Sequence, residues 1–337
     1  CDATMFRQFC SPLVPLARFP RFVFTQEDTL RVEVEAYNAG RSDLVTAEAS
    51  YLIEDSEGKT MASGCFDVSR VSLGKNNLLG AVTTTLSTFP TPGKYCLKVS
   101  VKGTDLEQEQ MSGNNSWEFW VYPSMSAESK LNTTTTDIFI TDTLSDEAQK
   151  VLQRGGKVLL TAAGKVTFGS DVVQHYLPVF WNTSWFKMRP PHTVGAVIDT
   201  THPLFQRFPS DDWANLNWWE LLNRAQVMNL SLLPAEYQSP IQPIDTWHVS
   251  RKLGMIVEAQ CGGGKLLITT MDISNNLSQR HVARQMRSAL LDYMNSSDFR
   301  PQLTLPIAIM EKFFREYAPK VDMFTNDSPD ELKPKIK

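Results

Sequence analysis

The sequence predicts a β-sandwich followed by an α/β domain, and two patterns and a seam between them carry that reading. From Phe22 to Tyr122 apolar residues recur at every second position. From Asp137 onward, short apolar runs alternate with helix-spaced stretches. The seam is Ser124 to Thr136, rich in Ser, Thr and Asn. A length of 337 residues suits two domains.

Residues 1–20 are expected to be the tail of a preceding domain or a linker. Met5, Phe6 and Phe9 are helix-spaced, and Pro12 and Pro15 forbid the helix to continue. The sandwich is expected over residues 21–123. Leu30, Val32, Val34 and Ala36 alternate with Arg31, Glu33 and Glu35, so one face is buried and the other wet. Asn38-Ala39-Gly40 turns the chain, and Thr46–Ile53 forms the next strand, closed by Glu54-Asp55-Ser56-Glu57-Gly58. Further strands are expected near Thr60–Val68, Leu78–Leu86, Gly93–Val101 and Ser116–Val121. Short strands, frequent turns and no helix argue for an immunoglobulin-like sandwich.

Residues 124–136 are read as the linker and 137–298 as the α/β domain. Asp137–Thr141 is a buried strand, Ser145-Asp146-Glu147 caps a helix, and Gly155-Gly156 ends it. Lys157–Ala162 is the second strand, so strand, helix and strand begin a parallel sheet. Val194–Ile198, Gly254–Ala259 and Lys265–Thr270 are further strands, the last two joined at Cys261-Gly262-Gly263-Gly264. Ser278 to Asn295 is a long helix with Val282, Met286, Leu290 and Tyr293 on one stripe. Residues 299–337 are read as a last helix, Ile307 to Tyr317, and a charged tail.

Composition narrows the chemistry. A net charge of −4 offers no basic field for nucleic acid. The apolar runs, such as Lys265–Met271, fall short of the roughly 20 residues a membrane helix needs. The five cysteines include no Cys-x-x-Cys, and the histidines His175, His192, His202, His248 and His281 have no metal-ligand spacing. No metal and no cofactor is expected. Cys65 and Cys96 read as buried free thiols, with a sandwich disulfide as the alternative. Cys1 suits either a processed lipoprotein or an arbitrary starting point.

No catalytic residue is assigned. Glu33 and Glu35 lie on a wet strand face, Asp211 and Asp212 suit a turn or cap, and Gly262-Gly263-Gly264-Lys265 is a hairpin rather than a phosphate loop. The binding candidates are aromatic. Trp181, Trp185, Trp213, Trp218 and Trp219 crowd a loop-rich stretch, and indole faces stack on sugars. Asp245, Trp247, His248 and Arg251 form a second polar–aromatic group. Packing of loops onto the domain is the competing reading for both.

Several segments resemble one family. Phe6-Arg7-Gln8-Phe9-Cys10-Ser11-Pro12-Leu13-Val14-Pro15-Leu16-Ala17-Arg18 resembles the stretch after the catalytic barrel in certain bacterial proteins of glycoside hydrolase family 2. Asn115-Ser116-Trp117-Glu118-Phe119-Trp120-Val121-Tyr122-Pro123 is similar to the last strand of their immunoglobulin-like domain. His202-Pro203-Leu204-Phe205, Asn217-Trp218-Trp219-Glu220-Leu221 and the stretch from Ile244-Asp245 to Glu258 resemble the α/β domain that ends such proteins. The resemblance implies a β-galactosidase-like exo-glycosidase of the periplasm or cell surface. Its partner would be its own barrel, with both catalytic glutamates before residue 1, so this chain is expected to be an inactive accessory region.

The α/β domain also resembles the flavodoxin-type, class I glutamine amidotransferase-like fold. That fold's catalytic cysteine would follow strand 157–162, where Ala162-Ala163-Gly164 stands instead. Two other functions are weighed: a free-standing carbohydrate-binding lipoprotein, and a hydrolase with an unrecognised site in the α/β domain. Sugar, linkage and oligomeric state are not legible in the sequence.

Overall fold

A computed structural model describes residues 2–124, 137–176, 192–246 and 249–321. The chain divides into two compact units, residues 1–130 and 131–337.

In the first unit a short helix, α1 (Ala3–Arg7), precedes strands β1 (Leu13–Arg18), β2 (Val23–Thr25), β3 (Thr29–Asn38), β4 (Leu44–Asp55), β5 (Thr60–Phe66), β6 (Asn76–Thr85), β7 (Gly93–Asp105) and β8 (Gln110–Tyr122). They form two sheets, ordered β1-β3-β6 and β2-β8-β7-β4-β5. Leu30, Val32, Val34 and Ala36 of one sheet share a buried cluster with Leu97, Val99, Val101, Phe119 and Val121 of the other. The period-two pattern thus becomes a β-sandwich, since every second side chain of a strand points to the same face.

Two expectations are corrected here. Residues 13–18 are not linker but β1, an edge strand paired antiparallel with β3 from Leu13↔Asn38 to Arg18↔Glu33. Pro15 stops a helix yet is tolerated at a sheet edge, where a missing N–H costs no ladder bond. Cys65 is exposed and Cys96 half-buried. They lie on β5 and β7 with β4 between them, opposite Ser50 and Glu54 respectively. Two strand spacings alone separate them by about 10 Å, beyond the ~7 Å Cα limit for a disulfide.

The second unit is mixed α/β. Strands β9 (Ile138–Thr141) and β10 (Lys157–Thr161) flank helix α2 (Asp146–Gln153). Ser145 caps α2, its hydroxyl accepting from the Ala148 N–H at 3.3 Å, and Gly155 ends it at φ +82°. Next come β11 (Ala196–Ile198), α3 (Trp219–Asn223), β12 (Met228–Asn229), β13 (Ile241–Pro243), β14 (Leu253–Gly254), β15 (Ile256–Cys261), β16 (Gly264–Thr269), α4 (His281–Asn295) and α5 (Ile307–Arg315). The main sheet runs β15-β16-β10-β9, and β9, β10 and β16 are parallel. β15 is antiparallel to β16 through a two-residue hairpin, Gly262 at φ +61° and Gly263 at φ +97°. Both positions need positive φ, which is why glycines stand there.

Helices cover both faces of this sheet. Val158, Leu160, Leu266 and Ile268 face α2 and α5 in one cluster with Leu152, Met310 and Phe313. α5 therefore belongs to the α/β core, and the expected boundary at 298 moves beyond it. The alternate residues face α4: Lys157 donates to the Met294 carbonyl at 2.7 Å, and Tyr293 to Glu258 at 2.7 Å. β11 and β13 form a separate two-stranded sheet, as do β12 and β14.

Candidate functional site

The Trp218-Trp219 pair sits where a 3-10 turn, Leu216–Trp218, runs into α3. Trp218 is fully enclosed, in contact with Phe205 and Phe208 at ring separations of 6.2 and 5.1 Å. Its indole N–H donates to Ser210 Oγ at 2.9 Å. Trp218 thus packs the interior, with no ring face open to a ligand. Trp219 points the other way and is 56% exposed. Its carbonyl accepts from Asn223 at 2.9 Å. Glu220, its neighbour, takes the Arg280 guanidinium, which also pairs with Asp272 at 2.8 Å and donates to the Asn275 carbonyl at 2.8 Å. The exposed indole stands on a tightly held base.

Asp245 is buried and accepts both Nε and Nη2 of Arg251, at 2.8 and 3.2 Å, together with the backbone N–H groups of Thr246 and Arg251. The third arm of Arg251 reaches Asp171 at 2.7 Å. Such a saturated carboxylate fixes a loop and has little capacity left for a ligand. Trp181, Trp185, Trp247 and His248 lie outside the described residues.

Three groupings were not apparent from sequence, although some of their members were. His202, Glu258, Tyr293 and Tyr237 converge: His202 Nε2 is 3.6 Å from Glu258 Oε1, Tyr293 donates to the other carboxylate oxygen, and the Glu258 N–H donates to Tyr237 Oη at 3.2 Å. His202 Nδ1 accepts from the Leu204 N–H at 3.3 Å. Burial, and then the Glu258 carboxylate, push the Tyr293 phenol far above its usual range, so it stays a neutral donor. His175 and His192 meet with ring centroids 6.0 Å apart despite their distance in sequence. Among the described residues no group of three or more His, Cys, Asp or Glu side chains is placed to hold a metal.

The third feature is a row across three strands. Val197 of β11 is bridged to Trp213 on one side and registered with Gln242 of β13 on the other, both antiparallel. Cross-strand partners project to the same face. Trp213 is 59% and Val197 48% exposed, and Ile244 beyond Gln242 is also exposed. Trp213 is among the aromatic candidates and Val194–Ile198 among the expected strands; the sequence carries no signal that Trp213, Val197 and Gln242 share one face, because that depends on how short strands pair. Elsewhere, Cys261 is buried beside the hairpin and burial pushes its thiol up, which leaves it inert.

No curated protein matches the chain. Among solved structures it is similar to the CARDB domain of a Pyrococcus furiosus protein, at 15% identity and a TM-score of 0.26, over 33% of this chain and 94% of that one. It is similar to the sporulation control protein of Bacillus subtilis at 12% identity and a TM-score of 0.27, over 36% and 54%. A β-glucuronidase of Parabacteroides merdae gives 18% and 0.21, over 28% of this chain and 11% of that one. Likenesses with such scores carry no argument about function. Residues 28–123 match a domain of unknown function, DUF8488. Residues 139–315, more than half of the chain, match another, and the chain belongs to that family, the domain of unknown function DUF8487.

Proposed function

We propose that this chain is a non-catalytic accessory region of a β-galactosidase-like glycoside hydrolase exported to the periplasm or cell surface. In this reading the sandwich is immunoglobulin-like and the second unit flavodoxin/amidotransferase-like. The parallel strands β9, β10 and β16, with helices on both faces, support that assignment. Where an amidotransferase would carry its cysteine after β10, Ala162-Ala163-Gly164 leaves no nucleophile.

One observation carries the accessory role. Trp219 holds a large apolar ring in solvent, while the residue before it is sunk in the core and the residue after it is tied to Arg280. Rigidly presented aromatics are anchors for partners, because little conformational freedom is lost when they are covered. The partner proposed is the catalytic barrel of that glycoside hydrolase. Separately expressed barrel should bind the native chain and bind Trp219→Ala more weakly, with the variant's thermal stability unchanged. The chain alone should match the buffer blank on a panel of nitrophenyl glycosides. Turnover abolished by replacing one carboxylate within residues 137–298 would make the α/β unit an enzyme and overturn the reading.

A further inference from the structure

We infer that the outward face of the row Trp213–Val197–Gln242 binds a neutral hexopyranoside chain. The site deepens the accessory reading, on which it rests for the class of ligand. Three cross-strand neighbours make a platform about 10 Å wide, two strand spacings. Trp213 supplies a flat apolar ring at one end, and the Val197 methyl groups continue it. Gln242, at the other end, is half-buried, and its carboxamide makes no hydrogen bond among the described residues. An indole at one end and a carboxamide at the other suit a chain of pyranose rings, whose C–H faces are apolar and whose hydroxyls radiate from the rim.

Two further details narrow the ligand. Gly195, two residues before Val197, has nothing within 4 Å of where a Cβ would stand, so the platform opens there onto bare backbone. Asp199, two residues after Val197 and so on the same face, is exposed and accepts from the Thr201 hydroxyl at 2.5 Å. A fixed carboxylate near the rim accepts from hydroxyls and repels uronates, so a neutral sugar is selected over an acidic one.

The test titrates the whole chain with neutral gluco- and galacto-oligosaccharides and with polygalacturonate, followed by calorimetry and intrinsic tryptophan fluorescence. A neutral oligosaccharide should bind and polygalacturonate should not. Trp213→Ala should weaken binding about tenfold or more, the loss of an anchoring aromatic, and Gln242→Ala several-fold. Circular dichroism of each variant reports whether it is folded. If Trp213→Ala is unfolded, Gln242→Ala carries the test alone. No binding of any neutral oligosaccharide, equal binding of polygalacturonate, or native affinity in folded Trp213→Ala and Gln242→Ala overturns the inference. Loss of barrel docking in Trp213→Ala without any sugar binding would overturn it too, and would assign the face to a protein. Sugar binding through Trp213 in a chain that also hydrolyses glycosides would sink the accessory reading and leave this one standing.

Discussion

Trp218 and Trp219 share their chemistry and differ in environment because a 3-10 turn meets a helix between them. Trp218 should behave as a core residue: Trp218→Ala is expected to cost roughly 3–5 kcal/mol, as truncation of a buried aromatic does. Trp219→Ala should stay within about 0.5 kcal/mol of the native chain, as exposed substitutions do. Urea denaturation of both variants checks the pair, and equal losses would refute the two orientations. The cysteines separate in the same way. Cys10 and Cys65 are exposed and should react quickly with an aromatic disulfide reagent, whereas Cys96 and Cys261 should react slowly. Burial pushes both of the slower thiols up, so less thiolate is present at a given pH. Stopped-flow labelling of single-cysteine variants measures this. The residue types in the aromatic stretch were legible in the sequence. Which ring faces in was not, because that depends on the register of a five-residue helix against Phe205 and Phe208.

Among the elements, those with a clear period were legible and those set by neighbours were not. β3 alternates over ten residues and α2 carries its own cap, so each is specified locally. β1 escaped notice because its ordering depends on β3 and on close approach to β8. A Cβ at Gly113 of β8 would lie 2.0 Å from the Leu13 carbonyl oxygen of β1. Asn115 of β8 meanwhile donates to the Pro15 carbonyl at 3.0 Å. Gly113→Ala must therefore push β1 off, and the sandwich should lose on the order of 1–3 kcal/mol, the usual cost of overpacking. Thermal unfolding of residues 1–124 compared with the same variant reads the loss; an unchanged midpoint would place β1 elsewhere. The candidate platform was partly legible: β11 falls within the expected strand Val194–Ile198 and Trp213 among the aromatic candidates, but three-residue strands do not specify their partners, so the row itself was not.

At the scale of the whole molecule the two units answer to different parts of the sequence. The sandwich pattern is continuous in the chain, and its two-sheet arrangement was readable from it. In the α/β unit β9, α2, β10, β11, β15, β16 and α4 were readable, whereas β12, β13 and β14, of two or three residues each, were not. That same arrangement constrains how the protein can be made. β10 finds its partner β16 more than a hundred residues later, Lys157 against Lys265. Closing so long a loop is entropically costly, so parallel pairing of this kind is slow. The β15–β16 hairpin needs no such closure and can form within microseconds. Gly263→Ala strains a turn formed that early, so it should slow refolding of residues 131–337 more than it speeds their unfolding. Chevron kinetics would show this as a shift mainly in the folding arm. During synthesis, β9 and β10 leave the ribosome well before β16 exists, and until then β10 has a bare edge facing water. The nascent chain is thus exposed to mispairing for the time needed to translate the intervening residues. Slower translation across that stretch should lengthen the interval and lower the soluble yield.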